Sequence, residues 1–234
     1  MRVIIYIGVL ALAILLLLAG FRSLVFQTFS IPAASMSPNL IPGDIVLASK
    51  FAYGYSRYSF PFSPNIKGRI WGTEPQRGDL VIFRLPRDNV TDYVKRVVGV
   101  AGDRLQMIRG VLQINGQPAE LRRIEDFNGP KSTCNIARAG EAKIARYVET
   151  LPGGRQYEVL DCRAGSDGDD TAVFNVPPGH YFMMGDNRDN SSDSRFDVGY
   201  VPYENLVGRV VLILLSNSIE TGKPRDERMF EVPH

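Results

Sequence analysis

Hydrophobic and polar positions divide the chain into unlike stretches. From Val3 to Phe21 no residue is charged, and the run from Ile4 to Leu18 is apolar around every face of a helix. Nineteen residues separate Arg2 from Arg22. At about 1.5 Å per residue such a helix nearly matches a hydrocarbon layer of roughly 30 Å. This pattern predicts one spanning helix over residues 1–22. A cleaved leader is the rival, but its apolar centre is shorter, about 7–15 residues, and is followed at once by a small-x-small site. Here the first such site is near Ala33-Ala34, so a retained anchor fits the length better. Charges stay absent from Ser23 to Gly43, yet Pro32, Pro38 and Pro42 forbid a second spanning helix. That tract is expected as extended chain near the bilayer surface.

Beyond it, short β-patterned runs recur between turn signals. They are Asp44–Ala48, Asp79–Phe83, Tyr93–Val100, Gln106–Ile108, Val111–Ile114, His180–Met184 and Leu206–Leu214. Pro42-Gly43, Arg77-Gly78, Gly102-Asp103, Asn115-Gly116 and Pro177-Pro178-Gly179 bound them, which predicts a mainly β body. Asn115-Gly116 accepts the positive φ angles of a tight hairpin turn. From about Asp103 to Pro178 the chain is more polar and reads as an inserted β-rich subdomain. Tyr53 to Trp71, aromatic and Pro-rich without alternation, reads as a long hairpin or loop.

Charge and composition remove several function classes. The 27 basic and 25 acidic residues leave +2, too little to grip a nucleic-acid backbone. Two Cys are too few for a disulfide scaffold, and with only His180 and His234 a zinc site built on several imidazoles is hard to assemble.

Three features carry candidate chemistry. Ser35, in Ile31-Pro32-Ala33-Ala34-Ser35-Met36-Ser37-Pro38, has small neighbours that leave room for a substrate. A serine needs a base to become a nucleophile, and the scarcity of His leaves lysine, if burial lowers its pKa. By pattern alone Ser35 is a turn serine. Of the six lysines, Lys67, Lys131, Lys143 and Lys223 lie among Gly, Pro or polar residues and read as solvated. Lys95 sits in a strand pattern with apolar neighbours on both faces, where it can snorkel to water or lie dry and act as base. Lys50, beside Phe51, is a weaker candidate for that role. The third feature is the polar loop Gly185 to Arg195, directly after a strand. Asp189, Ser191 and Asp193 alternate as calcium ligands would, but an EF-hand needs Gly sixth and Glu twelfth, where Ser194 and Tyr200 stand. A loop tied by Asp-Arg pairs fits better.

Taken together, Ser35-Met36-Ser37-Pro38, Arg77-Gly78-Asp79, Tyr93-Val94-Lys95-Arg96 and Gly185 to Arg195 resemble, in order and spacing, the boxes of bacterial type I signal peptidases. The resemblance covers about Phe21 to Leu215 and is loose over Asp103–Pro178. It implies a membrane-anchored, β-barrel-like catalytic domain with an inserted β-rich subdomain. The expected order is an anchor over 1–22, catalytic domain over 23–103, insert over 104–178, catalytic domain again over 179–218, and a polar tail over 219–234. It implies Ser35 as acylating nucleophile and Lys95 as general base. Ser191 would hydrogen-bond the lysine amine, while Asp193, Arg195 and Arg96 support the surrounding backbone. Phe29, Ile31, Met36, Leu40, Tyr93 and Val94 would line the substrate pockets.

The partners implied are signal peptides of exported preproteins, the lipid bilayer and the nearby export machinery; no metal, cofactor or nucleic acid is called for. Where some members carry a hydroxyl as second oxyanion donor, this chain has Ala33, leaving that task to a water or a backbone group. Cleavage outside the inner membrane implies N-terminus inside and body outside. In that oxidising space the resemblance favours pairing of Cys134 with Cys162, two free thiols being the alternative. Rival readings are a peptidase of the same mechanism serving conjugation or pilus assembly, an anchored binding module without activity, and a body released after leader cleavage.

Overall fold

The computed structural model describes residues 2–60, 63–129, 131–134 and 143–234. Met1, within the expected anchor, and residues 130 and 135–142, within the expected insert, lie outside the described residues. Residues Arg2–Val25 form helix α1. Among the described residues no helix is long and apolar enough to cross a membrane.

All seven expected β runs appear as strands, with ends displaced by no more than two residues. In chain order the strands are β1 (Phe26–Ser30), β2 (Asp44–Ser49), β3 (Leu80–Arg84), β4 (Asp92–Gly99), β5 (Arg104–Ile108), β6 (Val111–Ile114), β7 (Gln117–Pro118), β8 (Glu120–Arg123), β9 (Ala145–Thr150), β10 (Gln156–Asp161), β11 (Phe174–Asn175), β12 (His180–Met184), β13 (Val201–Pro202) and β14 (Leu206–Ser216). Asn115 and Gly116 take φ of 55° and 80° between β6 and β7, as the hairpin signal requires. At Arg77-Gly78-Asp79 the chain turns with Gly78 at φ 93°. That turn delivers β3 into the sheet.

The main sheet has seven antiparallel strands in the order β1-β2-β14-β3-β4-β12-β13. In a flat sheet β1 and β4 would stand about 19 Å apart, at about 4.8 Å per step. Yet Phe29 on β1 and Val94 on β4 pack against one apolar cluster that includes Ile31, Met36, Leu40, Val46 and Ile82. The sheet therefore curls, and its concave side is filled by that cluster. Packing on the other side of β3 and β4 uses Val81, Phe83 and Val97 with Tyr53, Tyr181 and Val201.

Between β4 and β12 the chain builds two smaller sheets, β11-β5-β6-β7 and β10-β9-β8. Their core, with Leu105, Leu112, Ile114, Tyr157 and Val159, is continuous with Val98, Phe182 and Met184 of the main sheet. The Ser23–Gly43 tract differs from expectation: α1 runs on to Val25, β1 then pairs along β2, and a short 3-10 turn follows at Ala34–Met36. Pairing satisfies backbone groups that free extended chain would leave to water. Cys134 and Cys162 are bonded, with Cα atoms 5.7 Å apart. The C-terminal residues fold back on β14, where Ile213 and Phe230 bond main chain to main chain.

Candidate active site

Ser35 sits in the Ala34–Met36 turn, which closes when the Ser37 N–H bonds the Ala34 carbonyl at 3.1 Å. Two further bonds fix the turn from outside. The Asn187 N–H donates to the Ser35 carbonyl at 3.1 Å, and Asn187 Nδ2 donates to the Ala34 carbonyl at 3.1 Å. Gly185 makes the approach possible, because a Cβ there would stand 2.6 Å from the Ser35 carbonyl oxygen and 2.2 Å from Ser191 Oγ.

Lys95 Nζ lies 2.7 Å from Ser35 Oγ and 3.1 Å from the Val94 carbonyl. The strand alternation that left Lys95 undecided between water and burial is resolved here: the residue is 3 % exposed. Burial is the largest cause of a pKa lowered to about 8; the charges of Asp193 and Asp186 pull the other way, and that of Arg195 adds to the lowering. Both carboxylates are already engaged. Asp193 receives Arg195 Nε at 3.0 Å and Nη2 at 2.9 Å, and the Gly185 N–H at 3.0 Å. Burial alone would raise the Asp193 pKa, but the Arg195 charge and these bonds hold it below the usual carboxylate value. Asp186 receives two bonds of 2.7 Å from Arg96 and one of 2.8 Å from Asn39. Lys50 is also buried, and burial lowers its pKa. The amine in contact with Ser35 Oγ is that of Lys95.

A cleft of about 400 Å³ opens beside the pair, walled by Phe29, Ile31, Ile82, Tyr93 and Val94, with Thr91, Asp92, Asn190 and Ser192 at polar positions. Strand β12 pairs with β4 only at Arg96, Val97 and Gly99. The edge of β4 over Asp92–Lys95 that faces away from β3 is thus without a strand partner among the described residues.

Two sequence expectations need correction. Met36 and Leu40 do not line the cleft; both are 0 % exposed and belong to the apolar cluster beneath it, because the 3-10 turn places Met36 inward as Ser35 faces the opening. Ser191 does not hold the lysine amine: its Oγ is buried without a hydrogen-bond partner. The amine is within bonding distance of Ser35 Oγ and the Val94 carbonyl instead. Arg96 points to the face of β4 opposite Lys95, where it bonds Asp186 and donates to the Gly78 and His234 carbonyls, with its guanidinium 3.9 Å from the Tyr157 ring centroid. Phe29, Ile31, Tyr93 and Val94 lie in the cleft wall, and Asp193 and Arg195 form an ion pair at 2.9 Å.

Asn187, Asp186 and Asn39 escaped the sequence reading as individuals. The first two lie in the polar loop after β12, whose position was the available signal. Glu149 was missed altogether. It is fully buried, bonded to Arg188 at 2.8 Å and also held by Tyr157.

Comparison with known proteins gives the family. The family model for signal peptidase, peptidase S26, matches residues 4–215. The chain belongs to that family. Signal peptidase I of Rickettsia typhi is 37% identical to it over 207 residues, covering 85% of this chain and 75% of the relative. Signal peptidase I of Rickettsia canadensis is 38% identical over 211 residues, with the same coverage. A crystal structure of a signal peptidase I from Enterococcus faecalis V583 is 25% identical with a TM-score of 0.33, covering 58% of this chain and 97% of that one. An S26 peptidase needs an activated hydroxyl. In this peptidase a buried amine next to Ser35 Oγ also disfavours a binding module, for which Lys95 would be a solvated strand residue.

Proposed function

We propose that this S26 peptidase removes N-terminal signal peptides from exported preproteins by acyl transfer through Ser35 and Lys95. One observation carries the reading: a lysine amine buried, lowered to about pKa 8, and 2.7 Å from a serine hydroxyl at the mouth of an apolar cleft. As an ammonium, Lys95 donates to Ser35 Oγ; as a neutral amine, it accepts the hydroxyl proton. The neutral form starts the reaction. Ser35 Oγ attacks the scissile carbonyl while its proton passes to Lys95, which then gives it to the leaving amine. In the second half Lys95 takes a proton from water, the hydroxide oxygen attacks the acyl carbon, and the proton returns to Ser35. The backbone N–H of Ser35 supports the oxyanion, and a water or another backbone group takes the second position, since Ala33 has no hydroxyl.

The open edge of β4 over Asp92–Lys95 suits an extended peptide that adds as a strand. Apolar walls close to that edge favour small apolar side chains in the cleft. A peptidase serving conjugation or pilus assembly would share this chemistry and differ only in substrate.

The membrane reading rests on sequence. The uncharged run from Val3 to Phe21 within α1 supports a single anchor, N-terminus inside, with the body on the outer side of the inner membrane near the export machinery. The expected divisions at 22, 103, 178 and 218 belong to the same proposal, with the two smaller sheets as the insert.

The test is digestion of a preprotein by detergent-solubilised enzyme. Ser35→Ala and Lys95→Ala are each expected to abolish processing while the protein keeps its circular dichroism and melting transition. Normal turnover by either folded variant would remove the mechanism. Retention in the membrane pellet after a carbonate wash tests the anchor separately.

A further inference from the structure

We infer that Asn187 is a positioning residue through which the Cys134–Cys162 disulfide holds the Ser35 turn, so that full peptidase activity requires the oxidised form. This rests on Ser35 being the nucleophile.

The chain of contacts is short. Asn187, fully buried, makes the two bonds to the Ala34 and Ser35 carbonyls described above, and its Nδ2 also lies 2.6 Å from the Thr133 carbonyl. That same carbonyl accepts Asn190 Nδ2 at 2.8 Å. Thr133 belongs to the 3-10 turn Lys131–Cys134, and Cys134 is bonded to Cys162. The other end of the crosslink holds the opposite side of the same loop. Leu160 on β10 donates to the Asp186 carbonyl at 2.9 Å and accepts the Arg188 N–H at 3.0 Å, flanking Asn187 on both sides. The Cys162 and Arg163 N–H groups both donate to Asp189 Oδ2, at 2.7 and 2.9 Å. The disulfide thus pins the Thr133 turn to the end of β10, the strand whose Leu160 flanks the loop that carries Asn187.

Thr133 is 0 % exposed, yet its hydroxyl Oγ1 has no hydrogen-bond partner. Its side chain therefore adds no polar tie, and the carbonyl bonds to Asn187 and Asn190 together with the crosslink hold this turn against the site. Without the crosslink, two points separated by 28 residues must be brought together by noncovalent contact alone. The clamped arrangement then loses population, and Asn187 shares its loss with the nucleophile turn. The redox step balances: the two thiols give up two electrons and two protons as the S–S bond forms, and a disulfide-bearing oxidoreductase is reduced to its dithiol. A thiol reductant reverses it. A chain not yet oxidised would cut slowly, which confines efficient cleavage to the oxidising side of the membrane.

The experiment uses the full chain in detergent and a cysteine-free preprotein, so that reductant acts on the enzyme alone. Complete reduction by dithiothreitol, and the double variant Cys134→Ser/Cys162→Ser, are each expected to lower kcat about five- to tenfold with KM changed less than twofold. Reoxidation restores the rate of the wild type only. Asn187→Ala is expected to lose a similar factor, and reduction of that variant to cost nothing more, because the two changes act through one contact. If Asn187→Ala does not fold, Asn190→Ala replaces it; removing one of two bonds to the Thr133 carbonyl leaves reduction a smaller effect than in the wild type. An unchanged kcat on verified reduction overturns the inference, as does an equal loss on reduction in wild type and variant. Ser35→Ala in the same assay keeps the two readings apart. Residual turnover there removes the nucleophile, whereas its inactivity beside a redox-insensitive wild type removes only the coupling.

Discussion

Two consecutive cations on β4 meet opposite environments. Lys95 and Arg96 are both buried, at 3 % and 1 % exposure, and strand alternation sends them to opposite faces. On the insert side Arg96 meets Asp186 in a paired geometry, two bonds of 2.7 Å, with the Gly78 and His234 carbonyls taking further donors. On the cleft side Lys95 meets a hydroxyl, a carbonyl and an aromatic face, its Nζ 5.5 Å from the Tyr93 centroid. Burial penalises both charges, and only Arg96 has a carboxylate of its own to offset the penalty. The two nearby carboxylates are held by Arg96 and Arg195, which leaves Lys95 able to shed its proton. The lowered pKa of this amine depends on where the acids are spent as well as on burial.

The largest break in that comparison is Lys95→Arg. A guanidinium keeps its proton at any working pH, so the strand would carry two fixed cations. Processing should fall by at least about 10³-fold, the scale on which a lost base is felt. Lys95→Arg retaining appreciable turnover in single-turnover digestion would show that a neutral amine is not needed. Next in size is Arg96→Met, which leaves Asp186 buried without its partner. Stability should drop by about 3–5 kcal/mol, read by denaturant unfolding. Protein that still folds should also show a higher pKa at Lys95, because the Asp186 charge raises it.

Strand pattern made β2 to β6, β12 and β14 legible, because apolar residues alternate or run together there between turn signals: Val, Ile and Leu in most, Tyr, Phe and Met in β12. The β8, β9 and β10 sheet was invisible for a physical reason. Ala145-Arg146-Tyr147-Val148-Glu149-Thr150 puts its buried position on a glutamate, whose paired cation is Arg188, 39 residues on. No local pattern announces a charge whose partner is distant. The Ser35 and Lys95 pairing was reachable only through the order of four boxes, since each residue alone reads as ordinary turn or strand. Met36 and Leu40 went wrong because proximity in sequence to Ser35 says nothing about which way a 3-10 turn faces. Ser191 went wrong because a polar loop fixes which groups are near an amine and leaves open which of them it bonds.

A smaller effect sharpens the electrostatic side. With Lys95 near pKa 8 in the folded enzyme, the neutral form that the proposed mechanism needs is about one molecule in ten at pH 7 and grows through pH 8. For a base with a lowered pKa the sign is fixed: kcat/KM should rise about tenfold per unit below that value and level off above it. In Arg96→Met the rise should sit at higher pH than in the wild type. A wild-type profile flat from pH 6 to 9, in protein that stays folded, would mean that Lys95 does not titrate as the base.

The smallest effect concerns Ser191. Its hydroxyl is buried beside Gly185 with no partner, and an unsatisfied buried polar atom costs free energy that its removal returns. Ser191→Ala should therefore leave stability unchanged or raise it by up to about 1 kcal/mol. Differential scanning calorimetry checks this directly, since a change of that size moves the melting temperature by a few degrees in a chain this long. A fall of several degrees would mean that the hydroxyl bonds within the folded enzyme, the Lys95 amine being the partner that the family resemblance names. Lys95 would then be held by two hydroxyls, and the contrast with Arg96 would narrow, because part of what keeps the amine in place would come from the loop that also carries Asp193.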